Sequence, residues 1–307
     1  MAMTKLGRNH LRWCAPCNIP VMESKTCPLC GGETFETPLT PPADSRPAFP
    51  YDIERARSLC DATFGAGTGK VLLPDGHAVI FNKSPAIDRM EEVFCDGAVL
   101  ATLRYDLGVG WRFIIRLQGA FRIAGHMTKG RVRILPEVVP FIRENKNLMV
   151  PGISGADQDI CEGDEVVLML DDGTVIATGT AKMSGKDMVS LEKGVAVKTR
   201  WHKEEFPRLG NTARSWDEIV SANAGVIEKR RDEAVKFIND TVKKYDLPAV
   251  VSFSGGKDSL AVMLLTMDAG LGLRPMFLNT GLELDETVRY VHDFADRHGL
   301  DLIEEKA

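Results

Sequence analysis

The segment Ser254-Gly255-Gly256-Lys257-Asp258-Ser259 follows the apolar run Ala249–Phe253 and precedes the helix-like Leu260–Leu265. A strand that passes into a helix through so small a turn aims several backbone N–H groups at one point. The positive end of the helix dipole lies behind them. The two glycines let the backbone approach an anion that a Cβ would hold off. Lys257 adds a mobile charge, and the hydroxyls of Ser254 and Ser259 add donors. The arrangement predicts a phosphate site. It is not the Walker A loop, which needs four residues between its first glycine and its Gly-Lys pair. Downstream, Leu273–Leu278 reads as a second strand, Leu284, Val288, Val291 and Phe294 as the inner stripe of a helix, and Leu300–Ile303 as a third strand. This alternation with short connections specifies a parallel sheet in a doubly wound α/β domain. Ligands of such sheets bind beyond the carboxyl ends of the strands, where Ser254 and Asn279 both fall. Upstream, Ser215-Trp-Asp-Glu218 has the form of a capping box and opens a long amphipathic helix running from Ile219 to Tyr245.

At the other end of the chain, Cys14-x-x-Cys17 and Cys27-x-x-Cys30 are separated by nine residues. Each pair can turn both thiolates toward one ion, and two pairs complete a tetrahedral four-sulfur shell. Gly31 and Gly32, directly after Cys30, let backbone N–H groups fold back onto sulfur. A structural Zn²⁺ is the expected occupant, with a rubredoxin-like iron as the minor alternative. So short a ribbon needs such a clamp to fold. Pro38, Pro41, Pro42, Pro47 and Pro50 then mark a stiff linker, and Tyr51–Phe64 carries helical spacing. Gly65-Ala-Gly67-Thr-Gly69-Lys70 follows a helix, fits no common nucleotide fingerprint and reads as a flexible loop.

The middle of the chain is β-rich. Short runs at His77–Phe81, Glu92–Cys95, Ala98–Tyr105 and Arg112–Leu117, parted by turns such as Asp96-Gly97, predict a small α+β domain. Between Arg112 and Lys146 lie eight basic residues (Arg112, Arg116, Arg122, Lys129, Arg131, Arg133, Arg143 and Lys146) against only Glu137 and Glu144. Such an excess could serve as a footprint for a phosphate backbone, or be a solvated barrel face. The overall charge of −5 gives no global pull toward nucleic acid, so an RNA case rests on local patches. No apolar run is long enough to cross a membrane, and the first residues lack the apolar core of a secretion signal. Two tight cysteine pairs with three scattered cysteines fit a reducing cytoplasm. Cys60, Cys95 and Cys161 read as buried small apolar residues.

The Ser254–Ser259 loop resembles the PP-loop of ATP pyrophosphatases and of the phosphoadenosine phosphosulfate (PAPS) reductase family. Asn279-Thr-Gly-Leu-Glu-Leu-Asp-Glu-Thr-Val-Arg289 is similar to that family's "Asn-Thr-Gly…Pro-Glu-Thr" segment, with Leu284-Asp285 where many members have Phe-Pro. The resemblance implies an adenine nucleotide held by Ser254, Gly255, Gly256, Lys257, Asp258, Ser259, Asn279, Thr280 and Gly281, with Lys257 and Asp258 catalytic. Glu283 or Asp285 could help hold Mg²⁺, although acids at a helix start are more often simply solvated. A second resemblance covers about 70 residues. The turn Val150-Pro-Gly-Ile153, the strand entry Gly163-Asp-Glu-Val166 and the run Gly179-Thr-Ala-Lys-Met-Ser184 are similar to the PUA domain, a compact β-barrel of tRNA- and rRNA-modifying enzymes. The resulting organisation is a zinc ribbon (1–40), a small α+β domain (48–124) and a PUA-like RNA-binding domain (125–200). A linker helix with the N-terminal part of a Rossmann-like PAPS reductase domain follows (212–307). Together these look like archaeal proteins named for the last domain alone.

The resemblances imply an enzyme that binds Mg-ATP or another adenine nucleotide and acts by adenylyl transfer in RNA modification, with tRNA as partner and a sulfur donor for thiolation. One alternative is a sulfonucleotide reductase of sulfur assimilation, which leaves the PUA-like module unexplained. Another is a non-catalytic RNA-binding protein. Domains of the PAPS reductase family are much longer than the 62 residues from Asp246 onward, and true reductases use a cysteine near the C-terminus. The sequence is therefore expected to be a C-terminally truncated piece that does not complete catalysis alone.

Overall fold

The computed structural model describes residues 10–41, 43–202 and 212–306; Pro42 of the linker lies outside the described residues, as do 1–9 of the ribbon. The chain divides into two compact units, Met1–Asn223 and Ala224–Ala307.

In the first unit, β1 (Leu11–Cys14), β2 (Ile19–Met22) and β3 (Phe35–Glu36) form an antiparallel sheet in the order β2-β1-β3. Trp13 is fully buried and meets Phe94 edge-on at 5.3 Å, which fastens this sheet to the next. That next sheet is an antiparallel meander of β4 (Asp44–Pro47), β5 (Val79–Lys83), β6 (Met90–Cys95), β7 (Ala98–Asp106) and β8 (Gly110–Ile115). The helices α1 (Pro50–Phe64) and α2 (Thr68–Leu72) lie between β4 and β5 in the chain, and α3 (Leu117–Ile123) follows β8. Pro50 opens α1 at a position where its missing N–H costs nothing. Asp96 and Gly97, at φ +54° and +81°, supply the left-handed pair that a two-residue hairpin needs.

The glycine-rich stretch after α1 is not the flexible loop expected of it. Thr68 is fully buried at the start of α2. A Cβ on Gly69 would lie 2.3 Å from the Arg57 carbonyl oxygen, so this glycine exists to let α2 close on α1. Its N–H donates to Asp61 at 2.6 Å.

The strands β9 (Arg131–Ile134), β10 (Leu148–Met149), β11 (Ile153–Ala156), β12 (Glu165–Met169), β13 (Val175–Ala181) and β14 (Val195–Trp201) make a barrel-shaped sheet, with α4 (Val139–Arg143) and α5 (Gly185–Ser190) in the connections. Its order is β10-β14-β13-β12-β9-β11, and only β12 with β9 is parallel. Of the run Gly179–Ser184, only the part up to Ala181 is strand. Ser184 caps α5 by accepting the Asp187 N–H, and the strand that lies between β10 and β13 is β14. Alternation along β12 sends Val166 and Leu168 into the barrel core, and Val167 and Met169 into the core shared with α1 and α3.

The helix α6 (Trp216–Tyr245) begins with the expected box: Glu218 N–H donates to Ser215 Oγ at 3.2 Å, and Ser215 N–H to the Glu218 carboxylate at 2.9 Å. Buried Asn223 accepts from Met22 N–H and donates to the Pro20 carbonyl, pinning this end of the helix to the cysteine-bearing sheet. In the second unit β15 (Val250–Ser252), α7 (Lys257–Asp268), β16 (Arg274–Asn279), α8 (Asp285–His298) and β17 (Ile303–Lys306) alternate, and the strands pair in parallel as β15-β16-β17. The third strand starts at Ile303 rather than Leu300, because Gly299 at φ +63° ends α8 and Leu300 N–H caps it at Ala295 O. The three strands run in chain order, so the reversal that defines a doubly wound sheet is not among the described residues.

Cys60 and Cys95 are buried as expected, and burial pushes the Cys60 thiol up to about 12. Cys161 is not: it is exposed in the turn before β12.

Candidate functional site

Paired to β16 through Phe253 N–H and Met276 O at 2.8 Å, the backbone stays extended up to the loop, and the Phe253 ring is fully buried against Phe294. Gly255 then turns at φ +76°, and Gly256 caps α7, its carbonyl accepting from Leu260 N–H at 2.9 Å. Ser254 Oγ donates to Ser259 Oγ at 3.2 Å, tying the start of the loop to the first turn of α7. Lys257 is the first residue of the helix, with Nζ 3.2 Å from Asp258 Oδ1, and both side chains stand out in solvent. Ser254, Gly255, Gly256, Lys257, Asp258 and Ser259 thus lie together at the carboxyl edge of β15, with the amino end of a 12-residue helix behind them. That is a surface fit for a phosphate.

Asn279 ends β16 and reaches the same edge, but its side chain is already engaged. Its amide donates to Glu304 at 2.8 Å, and its oxygen accepts from Gly281 N–H at 3.1 Å. Thr280 is engaged likewise: its N–H and hydroxyl both bond Glu283 at 2.9 Å, and the hydroxyl holds the Glu283 carboxyl below its usual range. Asn279 and Thr280 therefore shape the loop, which turns at Gly281 with φ +79°. Glu304, itself held low by the Asn279 amide and 3.4 Å from His292 Nε2, was not foreseen from the sequence. Only the parallel pairing of β16 with β17 brings it there. Replacing Glu304 by Ala should loosen the loop and speed hydrogen exchange at Thr280–Glu283 several-fold, while Glu304→Gln, which keeps an acceptor for the amide, should exchange like the parent.

Cys14 closes β1, Cys17 lies in the following turn, and Cys27 and Cys30 lie in the loop before β3. All four Sγ atoms fall within 4.8 Å of one another, and Cys14 and Cys30 are 3.6 Å apart. Four sulfurs around an ion at about 2.3 Å would sit about 3.8 Å apart, so the cluster could hold a metal such as zinc. Gly32 N–H donates to Cys30 Sγ at 3.4 Å and, with the neighbouring thiols, lowers this thiol to about 7, whereas burial pushes Cys17 up to about 11.

The basic run gives up most of its charge to acids, five of the six from outside the run. Arg112 pairs with Asp106, Arg116 with Glu92, Arg122 with Asp96, Arg131 with Asp157, Arg133 with Asp171 and Lys146 with Glu144. It is a set of structural ion pairs more than one open cationic face.

Residues 130–203 match the family described as PUA domain, and residues 248–307 match the phosphoadenosine phosphosulfate reductase domain. The chain carries both domains. The PUA domain coincides with the sheet β9–β14, and the PAPS reductase domain with the parallel sheet and its two loops. An uncharacterised protein of Methanocaldococcus jannaschii is 34% identical over 98% of this chain, which spans 64% of that relative's length. The tRNA-guanine(15) transglycosylase of Methanothermobacter thermautotrophicus is 29% identical over 151 residues, 48% of this chain and 22% of the transglycosylase. Among solved structures, a hypothetical protein of Pyrococcus horikoshii aligns over 52% of this chain and 93% of its own, with 25% identity and a TM-score of 0.43. No helix among the described residues is long and apolar enough to cross a membrane.

Proposed function

We propose that this PUA and PAPS reductase domain protein belongs to an RNA-modifying enzyme that activates its substrate with an adenine nucleotide bound at Ser254–Ser259. The observation that carries this reading is the pairing, in one chain, of a phosphate-shaped loop at the carboxyl edge of a parallel sheet with a PUA domain. The likeness to tRNA-guanine(15) transglycosylases supports tRNA as the partner, since it extends over about twice the length of the PUA match.

In the proposed reaction an RNA oxygen attacks the α-phosphorus of ATP, forming a new P–O bond as the bond to the β-phosphate oxygen breaks and pyrophosphate departs. Backbone N–H groups of the loop and the Lys257 ammonium face the charge that gathers on the leaving group. Ser254 and Ser259 orient the phosphates, and Asp258 completes the catalytic pair. Bound Mg²⁺ would shield phosphate charge, and Glu283 or Asp285, in and directly after the second loop, could help hold it. A sulfur donor could then displace the adenylate. The four cysteines hold a structural zinc in this reading, and the three others, none of them in a disulfide, support a reducing, cytoplasmic setting.

Pyrophosphate release from Mg-ATP by the natural-length protein, with and without bulk tRNA, tests the proposal. The expected result is RNA-stimulated release that Lys257→Ala lowers about 10²-fold. Absence of release under both conditions would transfer the loop to a preformed sulfonucleotide, the ligand that the name of the reductase domain suggests.

A further inference from the structure

Between the meander sheet and the PUA barrel, within Met1–Asn223, lies a cavity of about 460 Å³. Its apolar wall includes Leu59, Phe113 and Ile160, and the half-buried indole of Trp111 stands beside them. Arg104 and Arg112 line it together and share one carboxylate: Arg104 binds Asp106 through two nitrogens at 2.8 and 2.9 Å, and Arg112 Nε lies 2.7 Å from the same group. Two guanidiniums on one carboxylate leave a net positive charge and spare N–H donors. Lys129, from the PUA side, has no carboxylate within ion-pair distance among the described residues. Deeper in the lining, Glu165 has a side chain only 11% exposed; it accepts from Arg200 at 2.8 Å and from the Thr180 hydroxyl at 3.3 Å. Burial raises the Glu165 carboxyl above its usual range despite Arg200.

The volume suits a ligand larger than a simple anion. Cations rule out a purely apolar guest, because filling the cavity with hydrocarbon would strand them. Asp159 and Asp164, also in the lining, oppose an extended polyphosphate. What remains is one phosphate attached to a flat, partly polar group. We propose that this cleft binds a single nucleoside monophosphate unit, with the phosphate at Arg104, Arg112 and Lys129 and the base against the apolar wall, where Glu165 and Thr180 accept its amino hydrogens. A free nucleotide and one residue of an RNA strand both present this unit, and the chemistry of recognition is the same. All of its lining residues belong to Met1–Asn223, and the inference does not depend on the function proposed for the Ser254 loop.

The tryptophans give a selective test. All four (Trp13, Trp111, Trp201 and Trp216) lie outside Ala224–Ala307, and of them Trp111 lines the cleft, so the part of the signal that Trp111→Phe removes is the part assigned to it. The full chain is titrated with GMP, with AMP, with a 5′-phosphorylated RNA trinucleotide and with inorganic phosphate, and equilibrium dialysis is run in parallel. Expected are saturable quenching by a mononucleotide, loss of that signal in Trp111→Phe, and binding about tenfold weaker in Arg112→Ala. Glu165→Gln should change the preference between GMP and AMP in the tryptophan signal. Tighter binding of the trinucleotide than of either mononucleotide identifies a strand as the source, and the reverse identifies a free nucleotide. The proposal is overturned by phosphate binding as tightly as GMP and AMP, by no saturable quenching, or by quenching that Arg112→Ala leaves at the parent affinity.

Discussion

Removing the zinc proposed for Cys14, Cys17, Cys27 and Cys30 is expected to unfold residues 10–41 while the PUA sheet stays intact. The sheet that carries these cysteines has strands of four, four and two residues, too little to bury a core of its own. A structural four-thiolate zinc contributes apparent binding energy of roughly 10–16 kcal/mol, which far exceeds what such a sheet could supply. What would still hold the segment is its docking. Asn18 donates to Asp96 at 2.7 Å, and Asp96 also meets Arg122 and His77 at 2.8 Å each. Burial works against the Asp96 charge, but these partners outweigh it and keep the carboxyl below its usual range. That hub stays in the meander sheet when the ribbon leaves it. Hydrogen exchange before and after chelation, with metal content measured on the same sample, checks the expectation. Protection should vanish from Trp13 to Met22 and persist in β12 and β13. Persistence at Trp13 without metal would mean that packing under Phe94, not an ion, closes the ribbon. Cys14→Ser should reproduce the chelated state.

The features that could be read from the chain were those whose physics is local. Two Cys-x-x-Cys pairs, a serine three residues before a glutamate, and a strand running into Gly-Gly-Lys each carry their meaning within a few residues. The readings that failed depend on partners distant in sequence. Gly69 looked mobile because nothing near it announces that Arg57 comes within contact distance. The strand Val195–Trp201 was missed because its identity lies in pairing with Leu148 and with Thr178–Ala181. The basic run was overestimated because the acids that neutralise it, such as Glu92 and Asp157, come from other strands and turns. Asn279 and Thr280 fell at the expected edge of the sheet, yet their side chains are engaged by Glu304 and Glu283. A motif could place them beside a nucleotide site, but only the fold distinguishes shaping a loop from touching a ligand.

Gly255 offers the sharpest separation between those two roles. Substitution by Ala should destabilise the Ala224–Ala307 unit by about 2 kcal/mol, and by Val substantially more. A Cβ in the left-handed region costs roughly 1–2 kcal/mol by itself. Here it would also stand 3.1 Å from Val291 Cγ2 and 3.3 Å from Thr287 Cγ2, tight enough that α8 must give way. The adjacent Gly256 is the control. Its φ is −80°, and a Cβ there meets only Ser254 Oγ, at 3.7 Å. Gly256→Ala should therefore unfold in urea like the parent, within about 0.5 kcal/mol, as substitutions without strain or cavity do. Its effect on ligands is a different matter. If the loop N–H groups close around a phosphate, a methyl at Gly256 crowds the anion, and ATP affinity measured by dialysis should fall even though stability does not. In Gly255→Val both should fall together, because a displacement of the loop by about 1 Å already costs on the order of 10²-fold in a positioned site. A Gly256→Ala protein that binds ATP as tightly as the parent would move the nucleotide off this loop, whatever Gly255 does to the fold.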